Sequence, residues 1–319
     1  MRGRTGRAIT SIALLLAAIL LIAAFLSACV NAETPPAGDD NPPAGGSDGS
    51  DVGEEDDLPE PYYTRVTENG KEYVYFGHAA DEAADAGLNN ALTNLKASGT
   101  ITADADGFYT YNDKKYVCMI AAEAAAGRKL HDGAVIEAGK EYFFEYSPVK
   151  WRILEITDGV ALLLAENVLG AAVYNPAGSF NSTTGLLVSG EKANDFGYSS
   201  VKAYLNGSFK ESLFTEYESS YLEGGADAVG LLTREQIDVY DLKEAEGYMM
   251  TVSPTEYLIA DGIDVSKIGN DYYSAWWLAT PGKAATSAAM VSSGGQYGEY
   301  YEDTVSASHG LRPVIALRL

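Results

Sequence analysis

The sequence predicts a mixed α+β domain built from short twisted sheets, hairpins and two or more packed helices. Two apolar strand–turn–strand patterns surround Asn112-Asp113 and Asp158-Gly159, pairs that tolerate the left-handed dihedrals of tight hairpins. Apolar residues recur at three- and four-residue steps from Asp81 to Ala97 and again from about Ser199 to Phe214, as one face of a helix requires. The last forty-five or so residues are short apolar runs separated by glycine, which reads as strands joined by turns.

The first thirty residues have another character. Arg2, Arg4 and Arg7 precede an apolar stretch from Ile9 to Phe25, the layout of a signal peptide over residues 1–28. The stretch closes on Leu26-Ser27-Ala28-Cys29, which resembles the lipobox of bacterial lipoproteins at all four positions. That resemblance implies diacylglyceryl transfer to Cys29, cleavage before it, and a partner membrane held through the lipid on the extracytoplasmic side. About 17–25 apolar residues can also span a bilayer outright, but the cysteine at the lipobox position and the polar tract after it favour the lipoprotein layout. Val30 is compatible with either sorting route, so the receiving membrane stays open. Residues 29–60 are Pro, Gly, Ser and acid with scarcely an apolar side chain, which predicts an extended, disordered tether.

The formal net charge is −23. Loss of the leader's three arginines takes it to about −26, and subtracting the tether's ten acids leaves about −16 for Pro61 to Leu319. Phosphate contacts need a basic face, so nucleic acid is excluded as a partner. With Cys29 lipidated, Cys118 is the remaining thiol, and Tyr116-Val117-Cys118-Met119 places it as a small buried hydrophobe.

From Pro61 onward the chain is long enough for a sizeable core. Tyr73 to Phe76 reads as a buried strand. The helix expected over Asp81–Ala97 turns Ala84, Leu88, Leu92 and Leu95 inward, and with the hairpin Phe108–Tyr111/Lys115–Met119 it forms an N-terminal extension at about 77–140. Between them Asp104, Asp106, Gly107 and Asp113 match later positions of a calcium loop, but Thr102 stands where the first carboxylate belongs and the following residues alternate like a strand. No metal is therefore expected. Trp151, Ile153 and Ile156 lead through Thr157-Asp158-Gly159 into the apolar return strand Val160–Leu164, a core hairpin over Val149–Glu166. Val201, Tyr204, Leu205 and Leu213 form the inner face of the next helix, and Thr233 with Gln236 makes a capping box at the start of another.

The closing segment holds the candidate binding residues. Gln296, Tyr297, Glu299, Tyr300, Tyr301 and Asp303 put three tyrosines among polar groups between Gly294-Gly295 and Gly310, with His309 beside them. Tyrosine supplies large contact area for few frozen torsions, which suits recognition; alternate aromatics that simply pack a sheet give the same pattern. Adjacent strand residues face opposite sides, so of Trp276 and Trp277 one belongs to the core and Trp276 is assigned to the surface. Arg312, between Leu311 and Pro313, is expected in a buried ion pair.

The segments 148–154, 161–167, 204–209, 277–282 and 310–313, taken in order, resemble an uncharacterised family of bacterial surface-protein domains. That family's fold is related to C-type-lectin-like modules and to the formylglycine-generating-enzyme (sulfatase-modifying factor) group. The resemblance covers roughly Tyr73 to Leu319 and implies a single lectin-like domain over 61–319. Two departures limit it. There is no cysteine after Cys118, where that oxidase group keeps its reactive pair, and Leu278 follows the tryptophans where sugar-binding lectins carry Asn-Asp beside their calcium. Neither chemistry carries over, and no cofactor is implied.

Among other catalytic patterns, the three histidines have no zinc spacing, and there is no Gly-x-Ser-x-Gly elbow or phosphate loop. The expectation is a membrane-anchored binding module, not an enzyme, for a glycan, peptide or protein outside the cytoplasm. Two alternatives stand beside it: an envelope enzyme on polysaccharide using Glu299, Glu302 and Asp303, and a surface receptor whose terminal segment is diversified by a retroelement.

Overall fold

The aromatic run Tyr73–Phe76 lies inside a 13-residue strand in the computed structural model, which describes residues 62–245 and 250–319. The leader, Cys29 and the tether lie outside the described residues. In chain order the elements are β1 (Thr64–Glu68), β2 (Lys71–Ala83), α1 (Ala86–Ala97), β3 (Phe108–Tyr111), β4 (Lys114–Ile120), β5 (Glu141–Thr157), β6 (Val160–Ala165), β7 (Gly170–Val173), α2 (Ser200–Tyr204), α3 (Lys210–Leu213), α4 (Glu216–Ser219) and β8 (Val229–Leu231). They continue with α5 (Arg234–Val239), α6 (Leu242–Ala245), α7 (Glu256–Asp261), β9 (Ser266–Ile268), β10 (Asp271–Tyr273), β11 (Trp276–Pro281), β12 (Ser287–Val291), β13 (Glu302–Thr304), β14 (Ser308–Leu311) and β15 (Pro313–Arg318). The architecture is a sheet-rich α+β arrangement, and Pro61–Leu319 is one compact unit.

One sheet is larger than expected. Strands β1-β2-β5-β6-β15-β8 run edge to edge, all neighbours antiparallel, and β3–β4 joins it through β5. A second sheet, β13-β12-β11-β14-β7, is antiparallel except between β11 and β14. Both hairpin turns are as the sequence predicts: Asn112 and Asp113, then Asp158 and Gly159, take positive φ at 49°, 61°, 50° and 78°, which matches the strand twist.

The Trp151 strand begins eight residues before the expected Val149, because Pro148 does not end it. Pro148 sits opposite His78 where the register with β2 shifts, so its missing N–H falls beside an irregularity in the ladder. Gly77 makes that shift: its φ is +64°, and a Cβ there would lie 2.5 Å from the Phe214 ring and 2.7 Å from the Leu213 carbonyl.

The N-terminal helix is shorter than its periodicity suggests. Asp81, Glu82 and Ala83 continue β2, and the helix opens at Asp85, whose Oδ1 accepts the Leu88 amide at 2.8 Å. Pairing with β5 outweighs local helix propensity over those three residues. The extension is thereby welded to the main sheet, with Leu92, Tyr116 and Phe143 in its own small core. Over 199–214 the helix is broken at Gly207 (φ −107°, ψ −120°); Val201, Leu205 and Leu213 point inward as expected, while Tyr204 is 39 % exposed. Thr233 and Gln236 form the reciprocal capping box. Cys118 is only half-buried, with Lys96 Nζ 3.5 Å from its sulfur. Asp104 Oδ1 accepts the amides of Asp106 and Phe108, so the acidic loop is a turn closed by its own side chain.

Gly77→Ala is expected to destabilise the protein by at least about 2 kcal/mol, since both the positive φ and the Phe214 contact forbid a methyl group. Urea unfolding of the variant measures it, and a midpoint equal to the parent's would remove the bulge from this account.

Candidate functional site

Strand β11 sets the floor of the terminal region. Trp277 faces the larger core with Trp151 and Phe76, Trp276 faces the second with Leu164, Leu232 and Met250, and both are fully buried. The assignment of Trp276 to the surface is therefore corrected: β11 is covered on both faces, so opposite orientation puts both indoles in cores. Trp277 Nε1 donates to the Ala172 carbonyl at 2.9 Å, and Arg312 lies 5.3 Å from the Trp276 ring with Nε donating to the Ala165 carbonyl at 2.8 Å.

The turn after β11, residues 282–286, is held from several sides. The amide of Asn194, 3 % exposed, donates to the carbonyls of Gly282 (3.2 Å) and Ala284 (2.8 Å). Glu302 Oε2 accepts the Lys283 amide and the Ser287 hydroxyl. Gly185, at φ +67°, packs against Ala285 so closely that a Cβ would fall 2.4 Å from that residue's own. This contact brings the loop Asn181–Lys192 beside the turn, with Leu186 40 % and Val188 96 % exposed.

On that frame stands one exposed aromatic. Tyr300 is 85 % exposed, with Lys283 Nζ 4.4 Å from its ring centroid and 3.4 Å from Glu299 Oε2. An exposed cation–π pair contributes about 0.5–1 kcal/mol, enough to bias the ring's orientation without burying it.

The other expected residues divide differently. Tyr297 is half-buried against the second core and donates to Asp238 Oδ1; burial and that carboxylate push its phenol up to about 12. Gln296 folds back onto Ser292. The Tyr301 carbonyl accepts from the Met290 amide at 3.0 Å and Arg234 Nη2 at 3.3 Å, which ties its backbone to β12 and α5. Asp303 Oδ2 meets His309 Nε2 at 3.0 Å, and the His309 ring stands edge-on to Trp277 at 4.5 Å, so this pair braces the sheet's flank. The structure thus brings Tyr300 and Glu299 together with Lys283, and sets Gln296, Tyr297, Asp303 and His309 to structural tasks around them. Sequence reasoning missed Lys283, Leu186 and Val188; the apolar triplet Leu186-Leu187-Val188 between Gly185 and Gly190 was the available signal.

A separate electrostatic feature lies at Asp81, which faces a cavity of about 30 Å³ lined also by Lys150, Asn167 and Thr255. Burial first, then the charges of Glu82, Glu256 and Glu145, push its carboxyl up to about 6. An acid whose folded value is raised above its unfolded one holds its proton better in the folded state, so stability falls as pH rises from about 4 to 6. Asp81→Asn is expected to stabilise the protein at pH 7.5 by on the order of 2 kcal/mol and to flatten the melting temperature between pH 4 and 6. Thermal melts across that range test it, and a variant as pH-sensitive and as stable as the parent would refute it.

In comparison with known proteins, the chain matches no family model, no curated protein and no solved structure.

Proposed function

We propose that the protein is a surface lipoprotein whose lectin-like α+β domain, carried on the acidic tether from Cys29, binds a macromolecule outside the cytoplasm through the surface formed by Tyr300, Lys283, Glu299, Leu186 and Val188. The single observation that carries the binding surface is Tyr300: a tyrosine 85 % exposed yet oriented by Lys283, whose own turn is fixed by the buried Asn194. Exposed aromatic and aliphatic tips beside an ion pair offer an apolar centre with a polar rim, the anatomy of a protein-recognition patch. A polypeptide ligand fits this better than a glycan, because Val188 and Leu186 offer no hydrogen bonds to hydroxyls.

The acids Glu299, Glu302 and Asp303 already face Lys283, the 282–287 turn and His309. That occupancy supports recognition over hydrolysis of polysaccharide. The lipobox supports membrane attachment, and the tether's ten acids support an extended spacer.

Two outcomes are expected. Capture experiments from the cell envelope and on glycan arrays, comparing the parent with Tyr300→Ala and Val188→Ser, should show a ligand whose affinity drops at least tenfold in both variants while melting temperatures hold. Equal retention by all three proteins would exclude this surface, and a ligand found only on the glycan array would change its class. Mass spectrometry of membrane-extracted protein should find a chain starting at Cys29 with a diacylglyceryl group, absent from Cys29→Ala; an intact leader with an unmodified thiol would overturn the anchoring.

A further inference from the structure

Among the acids around the end of β2, Asp81 stands apart. Glu82 faces His131 Nε2 at 3.5 Å, Glu145 on β5 takes Lys114 at 2.7 Å, and Glu256 on α7 accepts the Ala83 amide and faces His131 Nδ1. Asp81 lies within reach of all three charges, half-buried, and among the described residues no hydrogen bond or ion pair engages its carboxylate. Withdrawing a carboxylate from water without giving it a donor costs free energy, so a fold that keeps one in a cleft marks that cleft as a candidate site.

The cleft of about 30 Å³ that Asp81 faces is preformed. One wall is sheet: Ala79 and Asp81 come from β2, and Ser147 on β5 pairs directly with Ala79. Asn167, Leu169 and Thr255 form the other wall, where the Thr255 amide donates to the Val168 carbonyl at 3.2 Å and its hydroxyl caps α7. The Asn167 amide group and the Ser147 hydroxyl, like the Asp81 carboxylate, have no hydrogen bond among the described residues, and none of these atoms is sealed from solvent. Lys150 also borders the cleft, but its ammonium is bonded to Glu68 and stands 4.2 Å from the Tyr73 ring centroid.

The chemistry selects a cation that carries several N–H donors. With Asp81 unpaired and Glu82, Glu145 and Glu256 beside it, the cleft repels anions and draws positive charge. Calcium takes about six to eight oxygens, several from carboxylates, and no group of three acid, histidine or cysteine side chains is placed to hold a metal among the described residues. A guanidinium spreads five donors over a planar fork, more than this cleft can satisfy. An alkylammonium has three donors, matching the acceptors of Asp81, Asn167 and Ser147, and its bond to the carboxylate is charge-assisted. The volume holds about two water-sized groups, an ammonium head and the carbon that bears it, with Ala79 and Leu169 beside the stem. The geometry points to a binding site for a primary alkylammonium, on a lysine side chain or a small amine, with Asp81 as its counter-charge and Asn167 and Ser147 as its other acceptors. The site shares no residue with the Tyr300 surface and does not rest on that reading.

Saturation-transfer NMR on the full-length protein in detergent tests this, with butylammonium and N-acetyl-lysine methylamide as probes and the Nε-trimethyl form of the lysine probe as comparator. Both amines are expected to bind at pH 7.5, at least fivefold more weakly in Asp81→Asn, whose melting temperature should be no lower than the parent's. Tighter binding of the lysine probe would assign the site to a polypeptide, and tighter binding of butylammonium to a small amine. Burial and the neighbouring acids push the Asp81 carboxyl up to about 6, so acid neutralises it while the amine stays charged, and affinity should fall about tenfold between pH 7.5 and 5. Asp81→Asn should remove most of that dependence, leaving the part due to protonation of His131. No saturation of either amine, equal affinity in the parent and Asp81→Asn, or a trimethyl form bound as tightly as the free amine would each overturn the assignment.

Discussion

The burial of both faces of β11 is the constraint on which the rest of the terminal region depends. Trp276 and Trp277 follow one another and so project into different cores, and neither has any exposed surface. Two fully buried indoles represent several kcal/mol of apolar transfer, fixed to a six-residue strand. The strand cannot slip by one residue without exchanging the two cores' contents. Because its register is locked, the turn that follows leaves the sheet at one place, and Asn194, Glu302 and Gly185 can be matched to it. The exposed Tyr300 is affordable only on a frame that does not need it for packing.

The larger sheet meets the same demand by different means. Strand β5 is buried along much of its length, and charge is admitted mainly where a partner neutralises it. Arg152 meets Glu166 at 2.9 Å, Lys114 meets Glu145 at 2.7 Å, and Lys96 meets Glu141. Glu256 plays the corresponding role between layers, accepting the Ala83 amide at 2.8 Å and facing His131 Nδ1 at 2.9 Å, which holds the imidazole above its ordinary value. One carboxylate on α7 thereby joins the end of β2 to the loop that precedes β5. Asp81 is the exception, a carboxyl moved by burial and by neighbouring acids in a chain already rich in them.

Much of this was legible in the sequence wherever a local rule carried the information. Asn112-Asp113 and Asp158-Gly159 specify tight turns by dihedral preference alone, and Thr233 with Gln236 specifies a cap by hydrogen-bonding capacity. What could not be read depended on partners distant in the chain. Pro148 looks like a strand end unless Gly77, 71 residues earlier, is known to shift the register beside its partner His78. Asp81 to Ala83 have helical neighbours and become strand because β5 lies beside them. Trp276 reads as an exposed aromatic until α5 to α7 are seen to cover that face.

The candidate site follows the same division. A run of tyrosines between glycines announces contact area, but not which ring is spent on the core. Tyr297 reaches Asp238, fifty-nine residues away, and is withdrawn from the surface; Tyr300 finds only the flexible Lys283 and stays outside. The difference is one of reach rather than of residue type. Position 297 adjoins the buried second core, whereas position 300 follows Gly298, whose φ of 127° turns the chain away from it. The residue that the backbone directs outward is the one free to be recognised; Lys283, which has no sequence signature, meets its ring, and the packing of Gly185 on Ala285 sets the 181–192 loop beside the turn that carries Lys283.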